Sequence, residues 1–427
     1  MEINGYISLP LKDVAYREDL YPRIKPDPQV IQRYAENLEV LPPIEINQHN
    51  IIIDGFHRWT AHRKAEAESI KVIITQTASE AELFALAIRR NASHGLQMNE
   101  QDKGKVAIRL YAAGTGLDKD EIASVLSVSK RMINNYLYDI DKQLRAERKE
   151  KIFNLWLAGS TSEEIASRIN LTRQATDGYI EEMQKMEELP NFAKVSANFQ
   201  DDFEAPLYNV WSFAKKSNSV NHFGNSEQRI LENLLYLYTQ PFDIVLDPFA
   251  GGGATIDVCK KRLRRYWISD RKPIVERENE IRLLDIAQEL PPLNKRWSEV
   301  ALTYLDPPYW RQAQNQYSSD AEDLANMPLE QFTKTLIGII NRIADKQSKG
   351  VIACLIQPTQ WNADNREFTD HVTDLVCGVN KKKLVLENRV SCPYSTEQYN
   401  PQMVNWAKEN KKLLVISREL IIWRIRE

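Results

Sequence analysis

Cysteine is scarce in this chain of 427 residues: Cys259, Cys354, Cys377 and Cys392 are widely spaced and form no CxxC pair. That spacing indicates neither a disulfide framework nor a zinc site. The six histidines show no ligand spacing, so no metal is expected. No apolar run approaches the roughly 18 residues that a membrane span needs. The opening, MEINGYISLPLKDV, lacks the basic head and apolar core of a secretory signal. A reduced, cytoplasmic protein without membrane contact is expected. Strong net charge is lacking as well, because 56 Lys and Arg stand against 59 Asp and Glu and leave −3. A protein that coats nucleic acid non-specifically usually carries a large positive charge. Any nucleic-acid contact here must be local and offset elsewhere.

What is present is ordinary globular composition, 43% hydrophobic and 27% charged. Three regions follow one another. From about residue 5 to 95 the pattern mixes short strands (IEIN, IIID, IKVIITQT) with a helix, GFHRWTAHRKAEA. From about 97 to 187 the pattern is helical. Beyond about 205, apolar strands such as DIVLDPF, RYWISD, ALTYLDPPY, GVIACLIQP and LLVISRELIIWRI alternate with helical stretches. That alternation predicts βαβ units around a largely parallel sheet. The polar, proline-punctuated segment 189–206 reads as a linker.

The helical region contains an internal repeat. LYAAG precedes DEIASVLSVSKRMINNYL, and LWLAG precedes EEIASRINLTRQATDGYI. In each copy Glu-Ile-Ala-Ser opens a short helix, a turn follows, and a second polar-faced helix begins. The small Ala123 and Ala166 allow the close helix approach of a helix-turn-helix unit. Such a unit would present Lys130, Arg131, Asn134 and Asn135 in one copy, and Arg173 and Gln174 in the other, to double-stranded DNA. Arg and Lys address guanine edges or phosphates, whereas Asn and Gln pair with adenine. A helical connector with solvated polar residues is the plainer alternative.

The third region carries the chemistry. Asp306-Pro307-Pro308-Tyr309 follows the apolar ALTYL, at a strand's carboxyl end, where open α/β sheets place their sites. An exocyclic amine on a nucleic-acid base is a poor nucleophile because its lone pair is delocalised into the ring. The Asp306 carboxylate and the Pro307 carbonyl could accept its two N–H groups and localise that pair. The prolines fix the backbone, and Tyr309 offers a face for an extruded base. Taken alone, DPPY is also compatible with a simple turn. VLDPFAGGGATIDVCKKR (245–262) adds a strand, a glycine turn and a helix start, with backbone open to close ligand approach. No Gly-Lys-Ser/Thr follows, which argues against a nucleoside triphosphate. Asp270 ends RYWISD some 20 residues on, where a carboxylate can bind the ribose hydroxyls of an adenosine cofactor. On spacing alone a dinucleotide stays open.

DPFAGGGAT and DPPYW resemble motifs I and IV of the S-adenosylmethionine-dependent DNA amino-methyltransferases (adenine-N6 or cytosine-N4), and HFGNSEQRILENLLYLYT is similar to their motif X. The resemblance covers about 205–427. It implies S-adenosylmethionine as cofactor, held by Phe223, Gly224, Asn225, Asp247, Pro248, Phe249, Gly251, Gly253 and Asp270, with Asp306, Pro307, Pro308 and Tyr309 on the flipped target base. Asp285, in IRLLDIA, either ends a further strand or lies in a helix. Only about 35 residues separate Asp270 from Asp306, which leaves no room there for a recognition domain. Sequence reading is therefore expected to fall to the helix-turn-helix units. The basic run KKRLRRYW (260–267) reads as a phosphate contact or as a solvated helix face.

DGFHRWTAHRKA resembles the Gly-x-(His/Arg)-Arg box of ParB/sulfiredoxin-type domains, and helix-turn-helix units after such a domain are that family's usual order. The resemblance implies Gly55, His57 and Arg58 facing phosphates at a helix N-terminus, with Asn91 in a second box. Phe56 stands where sulfiredoxins need cysteine, so that activity is rejected. ParB proteins that bind CTP usually have Glu-Arg-Arg after the glycine, so a nucleotide at this box stays open.

The expected organisation is an α+β ParB/sulfiredoxin-like domain (1–96), two helix-turn-helix units (97–188), the linker (189–206) and a Rossmann-like α/β methyltransferase sheet (207–427). The expected activity is transfer of a methyl group to adenine N6 in DNA. Adenine is favoured by the resemblance, since cytosine-N4 enzymes more often carry Ser at the Asp306 position. The alternatives are a cytosine-N4 enzyme and a ParB-like partition protein with an inactive methyltransferase domain. An RNA methyltransferase and a nuclease centred on His57 fit less well. A homodimer and a partner restriction nuclease are left open by the sequence.

Overall fold

The computed structural model describes residues 5–20, 26–93, 99–112, 117–187, 189–213, 226–311, 313–315, 320–359, 366–394 and 399–426. The chain divides into two compact units, Met1–Arg148 and Lys149–Glu427.

In the first unit, β1 (Ile7–Pro10), β2 (Ile44–Asn47), β3 (Ile52–Asp54) and β4 (Ser69–Thr75) form a sheet in the order β1-β4-β2-β3. The central pair β2 and β4 is parallel, and both outer strands pair antiparallel. Alternating residues Ile44, Ile46, Ile70 and Val72 turn to one face and bury there against Trp59. Helix α1 (Pro28–Ala35) starts at Asp27, whose carboxylate accepts the amides of Gln29 and Val30. Helix α2 (Phe56–Lys64) starts at Gly55. Helices α3 (Glu80–Ser93) and α4 (Glu100–Ala112) follow.

The sequence repeat is a repeat of backbone geometry. Helix α5 (Lys119–Leu126) opens on an Asp118/Glu121 capping box and ends at Ser127 with φ 52° and ψ 49°. After the long helix α6 (Lys130–Leu157), α7 (Ser162–Ile169) opens on a Thr161/Glu164 box and ends at Asn170 with φ 54° and ψ 51°. In both, the next amide reaches back to the small residue: Val128 donates to Ala123 and Leu171 to Ala166, each at 3.0 Å. Helix α6 and helix α8 (Arg173–Gln184) are the second helices of the two copies. The second copy falls within the second unit.

That unit continues with α9 (Asn191–Ala197), α10 (Gln228–Tyr238), β5 (Ile244–Asp247), α11 (Ala254–Lys261), β6 (Arg265–Asp270), β7 (Arg282–Leu283) and β8 (Val300–Leu305). It closes with α12 (Leu329–Lys346), β9 (Val351–Ile356), α13 (His371–Gly378), β10 (Leu384–Pro393), α14 (Pro401–Glu409) and β11 (Ser417–Ile425). The sheet order is β10-β11-β9-β8-β5-β6-β7, parallel from β9 to β7, with β11 antiparallel to both of its neighbours. Strands β5, β8 and β9 are buried along their whole length, the consequence of apolar runs covered on both faces. The chain moves outward from β5 to β7 and then returns to β8 and β9. Strands β5 and β8 thus flank a topological switch point, and ligands bind outside the carboxyl ends of such strands.

Two expectations are corrected, and the open choice at Asp285 is decided for the strand. The segment 189–206 is folded, with Ala197 and Phe199 buried in the core that also holds Trp211 and Leu234. The arginines of KKRLRRYW neither meet phosphate nor form a solvated face: Arg262, Arg264 and Arg265 are 0%, 2% and 7% exposed. Arg262 pairs with Glu232 and Asp202, at 2.8 Å each, and lies over the Phe199 ring. Arg264 bonds to Thr239 and the Ala197 carbonyl, and Arg265 pairs with Glu299. The supposed linker supplies the rings and carbonyls that the supposed phosphate cluster needs, so the two misreadings have one cause. Asp285 follows the two-residue β7 and is not helical; it pairs with Arg271. Removing Arg262 as Arg262→Ala is expected to lower unfolding free energy by about 3 kcal/mol, the low end for a broken buried pair because Lys261 remains beside Glu232. Urea denaturation of the full chain checks it.

Candidate functional site

Two turns meet at the switch point. Strand β5 ends on Asp247, which accepts the Thr255 hydroxyl at 2.5 Å and the Phe249 amide at 2.9 Å. The glycine turn then leads into α11. Gly253 sits there at φ 78°, and a Cβ on it would come within 2.7 Å of the Arg277 side chain. Gly251 donates its amide to Asp270 at 3.1 Å, and Lys272 donates to the other oxygen at 2.9 Å. Asp270 therefore ties the turn after β5 to the end of β6.

Strand β8 ends at Leu305, so Asp306 begins the Pro-Pro turn. Its carboxylate accepts three hydroxyls: Ser226 at 2.5 Å and Tyr304 at 3.3 Å on Oδ2, and Tyr309 at 3.0 Å on Oδ1. Between Asp247 and Asp306 lies a cleft with an empty volume of about 370 Å³, including its open mouth. Ser226, Glu227, Gln228, Leu231, Phe249, Ala250, Ala254, Thr255 and Tyr304 complete its lining. Its charges are all carboxylates, with no Lys or Arg among the described lining residues.

Electrostatics follow from that burial. Desolvation pushes the Asp247 carboxyl up to about 7, and the charges of Asp306 and Asp270 push the same way against the Thr255 and Phe249 hydrogen bonds. Asp306 is also raised by burial, opposed by Ser226, by the Arg418 charge and by the two tyrosine hydroxyls. Burial and the Asp306 charge hold the Tyr309 and Tyr304 phenols far above their ordinary range. Both phenols are thus neutral donors.

Of the residues expected from sequence, Asp247, Phe249 and Asp306 line the cleft, and Pro248, Gly251, Gly253, Asp270, Pro307, Pro308 and Tyr309 belong to the turns around it. Phe223, Gly224 and Asn225 lie outside the described residues, as does the side chain of Asn91. Lys130, Arg131, Asn134, Asn135, Arg173 and Gln174 are exposed on their helices and take no part in the cleft. Two of them carry ion pairs: Lys130 with Asp120 at 2.7 Å, and Arg173 with Glu163 at 2.7 Å. Sequence reasoning missed Ser226, Thr255, Tyr304 and Arg418. The first two lie inside the motifs HFGNSEQRILENLLYLYT and DPFAGGGAT, and Tyr304 lies two residues before Asp306. Arg418 was signalled only by the Arg-Glu pair that opens an apolar strand.

The box near Gly55 is built differently from the expectation. Arg58 turns inward to Asp54 at 2.7 Å and to the Pro42 and Pro43 carbonyls. His57 accepts the Asp27 amide on Nε2 at 3.1 Å. Neither side chain is aimed outward as a phosphate contact. Among the described residues no cluster of His, Cys, Asp or Glu is placed to hold a metal, and no helix is long and apolar enough to cross a membrane.

Comparison with known proteins gives a family match. A family model described as DNA methylase matches residues 118–276, which take in α5 to β6 and the glycine turn and end before Asp306. The chain is 32% identical over 111 residues to "Transcriptional regulator NovG" of Streptomyces niveus, covering 23% of this chain and 35% of that protein. It thus spans about a third of that curated relative. Solved structures with partial likeness include the C-terminally truncated chromosome-partitioning protein ParB from Caulobacter crescentus. Its complex with CTP-gamma-S has 16% identity, 31% of this chain, 77% of that chain and TM-score 0.20. Its complex with the centromeric parS site has 13% identity, 40% of this chain, 97% of that chain and TM-score 0.25. A Pnob8-like ParB-N domain has 11% identity, 42% of this chain, 96% of that chain and TM-score 0.27. Scores of this size carry no fold argument. The methylase match supports the DNA-methyltransferase part of the expected resemblance over the residues it covers.

A raised carboxyl binds its proton more tightly in the folded than in the unfolded chain. Its stabilising contribution is complete below the unfolded value and is lost as pH rises through about 7. Melting temperature is therefore expected to decline from pH 5 to 8 with a component that Asp247→Asn removes. Calorimetry of both chains checks this.

Proposed function

We propose that this chain is a DNA methyltransferase that uses S-adenosylmethionine to methylate the exocyclic amine of a flipped base, adenine N6 in preference to cytosine N4. The observation that carries the reading is the cleft at the β5/β8 switch point, walled by carboxylates and facing an Asp-Pro-Pro-Tyr turn. Its donor set fits the cofactor. A ligand bearing a sulfonium and an ammonium is complementary to a cleft walled by Asp247 and Asp306, whereas a triphosphate is not. S-adenosylmethionine, when bound, supplies an electrophilic methyl group.

The chain's own residues do the rest. Asp270 ends β6 beside the glycine turn, where a carboxylate can accept ribose hydroxyls. Asp306 has about four acceptor positions, and Oδ2 is filled by Ser226 and Tyr304. Oδ1 takes Tyr309 and keeps one position, so it can accept a single N–H of the amine. The second N–H falls to the Pro307 carbonyl, which the two prolines fix in place. With both N–H groups held, the lone pair would be localised on the nitrogen and available to attack the methyl group of a bound cofactor. The surplus proton then lies beside Oδ1 and leaves through a carboxylate made more basic by burial. Tyr309 supplies the face on which the extruded base stacks. The preference for adenine rests on the family likeness, in which cytosine enzymes more often carry Ser in place of Asp306.

DNA is engaged by the helix-turn-helix copies, with Lys130, Arg131, Asn134 and Asn135 on one and Arg173 and Gln174 on the other. The match to a transcriptional regulator favours a second reading, a DNA-binding protein without chemistry. A nucleotide at the Gly55 box would need Arg58 to leave Asp54.

Labelled methyl from S-adenosylmethionine is expected to appear in N6-methyladenine after incubation with mixed-sequence duplex DNA and digestion to nucleosides. Asp306→Ala is expected to reduce transfer by at least about a hundredfold. Label in N4-methylcytosine would change the base, and absence of both transfer and cofactor binding would leave the second reading. Replacing Lys130 and Arg131 together by Ala is expected to weaken duplex binding and reduce its salt slope by about 1 to 2. Titrations at several salt concentrations measure it.

A further inference from the structure

A buried ion pair stands directly behind the acceptor carboxylate. Arg418, the second residue of β11, is 3% exposed, and its partner Glu227 is 1% exposed, with 2.5 Å between them. The guanidinium also donates to the Cys392 carbonyl at 3.3 Å and lies over the Tyr394 ring at 4.5 Å. A third contact, at 3.4 Å, goes to the Ser226 hydroxyl. Since Arg418 has only donors, that hydroxyl accepts from Arg418 and its own proton is directed at Asp306, 2.5 Å away. Without Arg418, Ser226 would be free to turn its proton elsewhere.

We propose that Arg418 is a positioning residue that acts through Ser226, orienting its hydroxyl so that Asp306 is held, ionised, with Oδ1 turned to the target amine. The proposal rests on the methyltransferase reading for its purpose, and on the Glu227–Arg418–Ser226–Asp306 chain for its content. A purely structural pair could be replaced by a neutral one of similar shape with little effect on the carboxylate. A positioning pair could not. The other groups facing Asp306 are Asp247 at the end of β5, Tyr304 and Tyr309 around it, Cys354 on β9 and Cys392 on β10, with Tyr394, just after β10, acting on Tyr309. Only Arg418 among them is a cation, and its charge opposes the effect of burial on Asp306.

The test follows the Asp306 carboxyl directly, by carbon NMR of the full chain labelled at aspartate side chains. The Asp306 resonance is identified by its loss in Asp306→Asn. The variants are Ser226→Ala, Ser226→Thr, and the double change Arg418→Met with Glu227→Gln, which leaves no stranded charge. Ser226→Ala and the double variant are expected to raise the midpoint by about one unit, a tenfold gain in proton affinity, and Ser226→Thr to restore it. The acid limb of the methyl-transfer pH profile should move by the same amount. Unchanged midpoints in folded variants overturn the proposal. Shifted midpoints in a protein that transfers no methyl group support the positioning and overturn the methyltransferase reading instead.

Discussion

Two carboxylates ending neighbouring buried strands are the constraint around which the second unit is arranged. Strands in a sheet lie about 4.8 Å apart, and Asp247 and Asp306 leave β5 and β8 at the walls of one cleft. The Asp306 charge raises the proton affinity of Asp247. What makes the arrangement tenable is a set of donors, all but Ser226 close in the chain to the carboxylate they serve. Thr255 and the Phe249 amide serve Asp247, whereas Ser226, Tyr304 and Tyr309 serve Asp306. Strand direction matters to this supply. Because β11 runs antiparallel to β9, Glu419 pairs with Ile356 at that strand's carboxyl end. The beginning of β11 therefore comes beside the cleft, and Arg418 with it. A parallel last strand would have carried that cation to the other end of the sheet.

The parts of this arrangement that were legible in the sequence are those in which neighbours in the chain are neighbours in space. The glycine turn, Asp270 at the end of RYWISD and the Asp-Pro-Pro-Tyr turn each report their own local geometry. The two EIAS copies also carry matched left-handed turns at Ser127 and Asn170. What was not legible involves partners far apart. Arg418 reaches Glu227 across 191 positions, and no local pattern marks such a pairing. The basic run 260–267 was misread for the same reason. Its charges are compensated by Glu232, Asp202 and Glu299 and by the rings of Phe199 and Trp156. A charge run signals a solvated or phosphate-binding face only while its partners remain unseen.

Repeated sequence did not produce repeated surroundings. The first EIAS copy shares a core with α3 and α4 through Leu83, Val106 and Leu110. The second is fixed to the sheet of its own unit. Trp156 packs against Phe242 and under the Arg265 guanidinium, while the carbonyls of Ala158 and Gly159 accept from Arg282 and Arg296. Gly159 is needed at that junction, since a Cβ there would come within 2.7 Å of the Tyr266 carbonyl oxygen. The mount is specific, so this copy has a structural task that the first does not share in the same form.

The place of that mount follows from strand direction. Phe242, Arg265, Arg282 and Arg296 all lie before or at the amino ends of their strands, whereas Asp247, Asp270 and Asp306 lie at the carboxyl ends. From Arg265 to Asp270 the chain climbs five residues, about 17 Å at the rise of a parallel strand. The second copy is thus anchored one strand length away from the cleft, and its Arg173 is already shared between Glu163 and Asp177. Matching sequence therefore carries different structural work in the two copies: the first closes a helical core, and the second is a mount for the sheet of its own unit.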